Sequence, residues 1–247
     1  MKRTRFEGAE WFKLLQKKPV FIVGQGGISS WLTLLLARVG CELYTFDKDV
    51  IDETNSAGQL FKLSDIGEYK TVALAKIVKE FTGDTVIPTA DWYDKDTLTN
   101  DIVICGLDNM KARRVAFENW YAAVQPVENK GDYFFIDGRL NAELMQIFCI
   151  QGDNQEQIDA YLEHGLFDDS EVEPLECSYK QTSHCAAMIA GYMTSYLCNW
   201  AANKVNGDSI RSVPFFYELI VPLNLATINN VKEYVHSQRE HEVEVRV

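Results

Sequence analysis

Residues 21–70 constrain the fold more tightly than any other stretch of the chain. Residues 20–23 are apolar and β-branched, bounded by Pro19 and Gly24, and read as a short parallel strand buried on both faces. Gly24, Gly26 and Gly27 follow, and the glycines let the backbone turn tightly. Next comes a helix whose apolar side includes Trp31, Leu34, Leu35 and Val39, with Ser29 and Ser30 expected as caps. Residues 42–46 read as a second strand ending at Asp47. Strand, glycine turn, helix and strand in this order predict an α/β, Rossmann-like architecture with a mainly parallel sheet and helices on both faces.

Each polar residue here has two readings. The glycine turn can be a plain turn, or it can bring phosphate oxygens to a helix N-terminus, where N–H groups and the dipole favour an anion. The third glycine of the dinucleotide fingerprint is replaced by Ser29. Asp47 is either a solvated acid at a strand end or an acceptor for ribose hydroxyls. Lys70 begins a helix with apolar Val72, Leu74, Ile77 and Val78. A cation there opposes the local dipole, and a nearby phosphate would give it a reason to be there. Residues 101–105 read as another strand, with Asp108 and Asn109 opening the next helix. Asp108 is either an N-cap or a carboxylate at the carboxyl end of a parallel strand, suited to Mg²⁺ on a triphosphate.

Taken together, Gly24 to Gly27, Asp47-Lys48-Asp49, Asn55 through Gln59, Gly67 through Lys70, and Leu107-Asp108-Asn109 with Arg113 resemble the ThiF/MoeB superfamily. That superfamily includes the adenylation domains of ubiquitin-activating enzymes. The resemblance spans about residues 18–200, with its motifs in family order. It implies an ATP-dependent adenylyltransferase acting with Mg²⁺ on the C-terminal carboxylate of a small ubiquitin-like or sulfur-carrier protein. ATP would contact Gly24, Gly26, Gly27, Asp47, Asn55, Gln59, Lys70, Asp108 and Asn109. Within that set, Asp47 takes the ribose, Asn55 and Lys70 the phosphates, and Asp108 the metal. The family also uses an N-terminal arginine, often across a dimer, and by resemblance Arg5 is its match. A frayed basic terminus is the other reading of Arg5. One departure is Gly58, which stands where the family has Arg before Gln.

Composition excludes other classes. The net charge of −12 disfavours nucleic acid as a partner. Residues 181–203 carry no Asp, Glu, Lys or Arg, but Thr182, His184, Thr194 and Asn199 interrupt the apolar run. A buried helix, near the axis of a homodimer by resemblance, is expected rather than a membrane span. No secretory signal is visible, and six cysteines without a C-x-x-C pair fit reduced thiols in a cytoplasm and argue against a paired-cysteine zinc site.

In the second half, residues 134–137 and 145–150 read as strands, and residues 155–163 as part of a helix. Residues 151–176 contain nine acids and no Lys or Arg. By resemblance, residues 1–247 form one adenylation domain, with 151–182 as an acidic crossover segment and 205–247 as a C-terminal extension. Within the crossover, Cys177 is either an ordinary loop cysteine or the thiol that attacks the acyl adenylate. Cys185 reads as packed. Residues 215–221 and 223–228 read as one or two strands, extending the sheet or mediating contact. Two other classes stay open: an NAD-dependent oxidoreductase on the same glycine turn, and a degenerate relative that binds without turnover.

Overall fold

The computed structural model describes residues 2–167 and 182–245. Its strands are β1 (Pro19–Val23), β2 (Glu42–Phe46), β3 (Val86–Thr89), β4 (Ile102–Cys105), β5 (Phe134–Asn141), β6 (Leu144–Gln151), β7 (Phe216–Ile220) and β8 (Leu225–Asn229). They form one sheet in the order β3-β2-β1-β4-β5-β6-β7-β8. The five strands from β3 to β5 are parallel, and β6, β7 and β8 add on antiparallel. This is the expected mainly parallel α/β sheet with an antiparallel extension.

The central strands are buried on both faces because alternate residues enter different cores. Val20, Ile22, Ile102, Ile104, Phe134 and Ile136 pack with α2 (Gly27–Val39) and α6 (Ser183–Asn206). Phe21, Val23, Val103, Cys105 and Phe135 pack on the other side with α4 (Met110–Val124), α5 (Gln155–Ala160) and α7 (Val231–Val245). A short α1 (Phe12–Leu15) and α3 (Lys70–Thr82) complete the first layer. The chain leaves β1 through α2 and β4 through α4, on opposite faces. β1 and β4 are neighbours, so a crevice opens outside their carboxyl ends, where open α/β sheets take ligands.

α6 contains the run without Asp, Glu, Lys or Arg expected from the sequence, ending before Lys204, and it lies against β5 and α2. A Cβ at Gly138 would come within 2.5 Å of Met193 Sδ, which shows how close the helix sits. Among the described residues no helix is long and apolar enough to cross a membrane.

Several local expectations need correction. Neither Ser29 nor Ser30 caps α2; its N-cap is Gly26, with no side-chain cap. Asp108 does not cap α4; Asn109 does, accepting from Ala112 N at 2.8 Å. The helix expected over 155–163 ends at Ala160 and continues as a π turn over Tyr161–Gly165. Residues 215–228 supply two strands, and both extend the sheet.

Candidate nucleotide site

The glycine turn is built by two contacts. Gly24 sits at φ +81°, a left-handed conformation that costs other L-residues about 1–2 kcal/mol. A Cβ there would also press on Leu107 Cδ2 at 2.9 Å and Gly106 O at 3.1 Å. The turn after β1 is thus packed directly on the turn after β4. At Gly26 a Cβ would meet nothing within 4 Å among the described residues, so they leave the space beside this peptide open. The first turn of α2 therefore faces the crevice without a capping side chain, as an anion-accepting helix end.

Ser29 stands where the fingerprint has its third glycine. It is fully buried, and its Oγ lies 2.1 Å from where a Cβ on Gly106 would be. The close helix–strand approach normally allowed by a glycine on the helix is allowed here by a glycine on β4's end.

Asp47 lies at the carboxyl end of β2, as expected. One of its oxygens accepts from Gln25 N at 2.6 Å and the other from Asp49 N at 2.8 Å. It holds the glycine turn and its own turn together. Burial pushes its carboxyl pKa up, against the pull of those N–H groups and of Lys70. Beside it, the Lys48 ammonium stands 4.0 Å over the exposed Trp92 ring.

Lys70 is the first residue of α3 and only 8% exposed. Its Nζ lies 3.1 Å from Asp49 Oδ2, and its N–H donates to Asp49 O. Sequence reading left phosphate as the reason for a cation at this helix start. Asp49 supplies a reason within the chain.

Residues 53–60 fold over the first turn of α2. Leu60 N donates to Ser30 Oγ at 3.0 Å, and Trp31 Nε1 donates to Gly58 O at 3.3 Å. Asn55 closes a capping box in the 3-10 turn Glu53–Ala57, its Oδ1 accepting from Asp52 N. Gln59 Oε1 is buried with no hydrogen-bond partner among the described residues, an arrangement that costs about 1–3 kcal/mol unless another group satisfies it. Asp108 is exposed beyond β4, and Asn109 donates to it at 3.1 Å.

The expected residues Gly24, Gly26, Gly27, Asp47, Asn55, Gln59, Lys70, Asp108 and Asn109 therefore line one end of the sheet, on the turns after β1, β2 and β4 and on the loop docked to α2. Arg5 does not join them within the chain. Arg3, two residues away, bonds to Ala37 O and pairs with Asp84, at the amino ends of the strands. Cys177 lies outside the described residues.

One buried group was found only in part by sequence reasoning, which took Arg113 into a motif but not Asp137, Arg139 or Tyr161. Asp137, with no exposed surface, pairs with Arg113 and with Arg139 at 2.7 Å, and accepts from Tyr161 Oη at 2.9 Å. Arg113 also donates to Leu107 O and to Gly138 O at 3.1 Å, and Arg139 donates to Gly165 O at 2.6 Å. Arg113 thereby fixes the peptide just ahead of Asp108. Burial, with the Asp137 carboxylate beside it, drives the Tyr161 pKa well up and keeps its proton on the hydroxyl.

A glycine turn at the switch point, with a strand-end acid and a buried lysine, defines a Rossmann-like α/β protein with a polar crevice at the carboxyl ends of its parallel strands. The chain belongs to the ThiF family, whose model matches residues 3–233. It is 32% identical over 114 residues to the NEDD8-activating enzyme E1 catalytic subunit of Caenorhabditis elegans, covering 43% of this chain and 26% of that protein. The Schizosaccharomyces pombe protein of that name is 34% identical over 116 residues, covering 42% and 25%. The match thus spans about a quarter of the length of these relatives. Among solved structures, PaaA superposes with a TM-score of 0.67 at 14% identity, and Escherichia coli MccB solved with ATP with 0.66 at 15%. Each alignment covers 90% of this chain and 66% of the other.

Proposed function

We propose that the chain is an ATP-dependent adenylyltransferase that activates the C-terminal carboxylate of a small ubiquitin-like or sulfur-carrier protein. The observation that carries this reading is one crevice holding an uncapped helix start, Asp47, a buried Lys70 and Asp108. Hydride transfer calls for neither a buried lysine nor a second acid beside the phosphates. Family membership supports the reading, as do relatives named as NEDD8-activating subunits and a fold neighbour solved with ATP and with MccA.

A carboxylate oxygen of the tail attacks the α-phosphorus of ATP. The bond from that phosphorus to the β-bridging oxygen breaks, giving an acyl adenylate and pyrophosphate. No proton needs to move, so the protein's part is placement and charge compensation. Gly26 and Gly27 leave the α-phosphate open to the incoming tail. Asp47 takes the ribose hydroxyls, and Asn55, Gln59 and Lys70 face the phosphates. Asp108, an exposed oxygen donor beside the phosphates, fits Mg²⁺, which when bound offsets charge on the leaving pyrophosphate. Arg5 reaches the site from a second copy of the chain in a homodimer. Cys177 is the thiol of a second step, breaking the acyl–phosphate bond to form a thioester with release of AMP.

ATP–pyrophosphate exchange with a carrier protein tests the reading. Asp108→Ala is expected to abolish exchange with the fold intact by circular dichroism. Cys177→Ala is expected to retain exchange and lose the thioester. Exchange near the wild-type rate in Asp108→Ala would remove the metal role. A thioester that survives Cys177→Ala would move the thiol elsewhere.

A further inference from the structure

Glu143, His184 and Cys185 meet at the same end of the sheet as the nucleotide crevice, and nothing in the adenylation chemistry uses them together. Glu143 belongs to the two-residue connection between β5 and β6, whose last pair is Asn141 with Leu144. Its backbone carbonyl accepts from Val221 N at 3.0 Å, so the turn is anchored to the β7–β8 connection. His184 and Cys185 lie in the first turn of α6.

One donor atom from each of the three residues lies within 4.8 Å of the other two. His184 Nε2 and Glu143 Oε1 are 3.6 Å apart, beyond hydrogen-bond range. Two ligands at about 2.0–2.2 Å from one tetrahedral ion stand roughly 3.4 Å from each other. The pair therefore has the spacing of two ligands round a common centre. A surface His–Glu pair would account for these two alone. The third corner is different, because Cys185 is fully buried and offers a sulfur beside the imidazole and the carboxylate.

The donor set decides which ion fits. Mg²⁺ and Ca²⁺ take oxygen ligands, and a thiolate with an imidazole selects a softer transition ion. One sulfur, one nitrogen and one oxygen suit Zn²⁺, with its fourth position left to water or a ligand. The donors come from the β5–β6 turn and α6, so the site differs from a paired C-x-x-C arrangement, which this chain lacks. We propose that Glu143, His184 and Cys185 bind one Zn²⁺, which ties the start of α6 to the β5–β6 turn and leaves one coordination position open. The site is separate from the Mg²⁺ expected at Asp108.

The test uses the full chain, freed of metal by chelation and studied without nucleotide, so its outcome is independent of adenylation. Zn²⁺ is titrated against a chromophoric competitor, and Co²⁺ reports thiolate ligation through its charge-transfer band. The wild type is expected to take one ion per chain and show the band. His184→Ala and Glu143→Gln should each weaken Zn²⁺ by at least the roughly 10- to 100-fold that loss of a supporting outer-shell group costs. Cys185→Ser should lose the band, and Cys177→Ser should keep it. If Cys185→Ser fails to fold, the exposed His184 still carries the test. No stoichiometric Zn²⁺ uptake by the wild type, or undiminished uptake by His184→Ala, overturns the proposal, as does a band that depends on Cys177.

Discussion

Ser29 and Gly106 form a size-matched pair that can be tested by exchange. An alanine at 106 would meet Ser29 Oγ at 2.1 Å and Ser29 Cβ at 3.4 Å. The hydroxyl is therefore the obstacle, and it is buried without a hydrogen-bond partner among the described residues. Gly106→Ala should destabilise by about 1–3 kcal/mol, the usual cost of overpacking. Ser29→Ala alone should be neutral or stabilising, since it removes an orphaned hydroxyl and raises helix propensity. The double variant should unfold in urea close to Ser29→Ala. A double variant as unstable as the sum of the single changes would mean the two residues do not clash.

Asp47 shows the cost that a binding crevice places on the fold. Burial raises its pKa above the ordinary carboxylate value of about 3.9. A carboxyl that protonates more readily folded than unfolded adds stability below its folded pKa and loses it as pH rises through that value. At neutral pH the charge is thus a burden on the fold. Asp47→Asn keeps an acceptor for Gln25 N and removes the charge, but its amide nitrogen cannot accept from Asp49 N. The melting temperature of the wild type should rise relative to the variant as pH falls from neutral. ATP should bind the variant roughly 10- to 100-fold more weakly, the range expected when hydrogen bonds to a charged acceptor are lost. Unchanged ATP affinity by calorimetry would take the ribose away from Asp47.

At the scale of elements, the buried quartet of Asp137, Arg113, Arg139 and Tyr161 ties β5 to the β4–α4 turn and to the π turn after α5. Removing its only carboxylate leaves two guanidinium groups buried without their counter-ion. Asp137→Ala should cost about 3–5 kcal/mol, as breaking a buried ion pair does. In a chain of this length that lowers the melting temperature by roughly 10 °C, at about 2–4 °C per kcal/mol. A drop of only a degree or two by calorimetry would show that the quartet adds little. The same quartet marks where sequence reading stops. β1, β2 and β4 were legible because each is an apolar run ended by a turn whose residues have a physical reason to be there. The acids and glycines of the crevice were legible for the same reason. In residues 137–139 an acid and an arginine flank a glycine, which locally reads as a polar turn. Only the pairing of β5 between β4 and β6 buries them. β3 was missed because it is a four-residue strand containing Pro88. α7 was missed because it is a charged edge helix that contributes mainly Val231, Tyr234 and Val235 to the second core.

At the scale of the whole molecule, the position of Arg5 makes a statement about assembly. Arg3 fastens the N-terminal segment to the end of α2 and to Asp84, at the opposite end of the strands from the crevice. In the proposed homodimer, an arginine two residues on from that anchor serves the crevice of the other copy. Arg5→Ala and Asp108→Ala should each lose ATP–pyrophosphate exchange when assayed alone. Mixed and allowed to re-equilibrate, half the dimers carry one chain of each kind. In those dimers one site combines an intact Asp108 with an intact Arg5 from the partner, while the other site lacks both. Exchange should then recover to about one quarter of the wild-type rate per chain, as statistical pairing round a twofold axis requires. If Arg5 acts within its own chain, both sites of the mixed dimer stay dead and nothing is recovered. If Arg5→Ala alone exchanges at the wild-type rate, the basic N-terminus has no part in the chemistry.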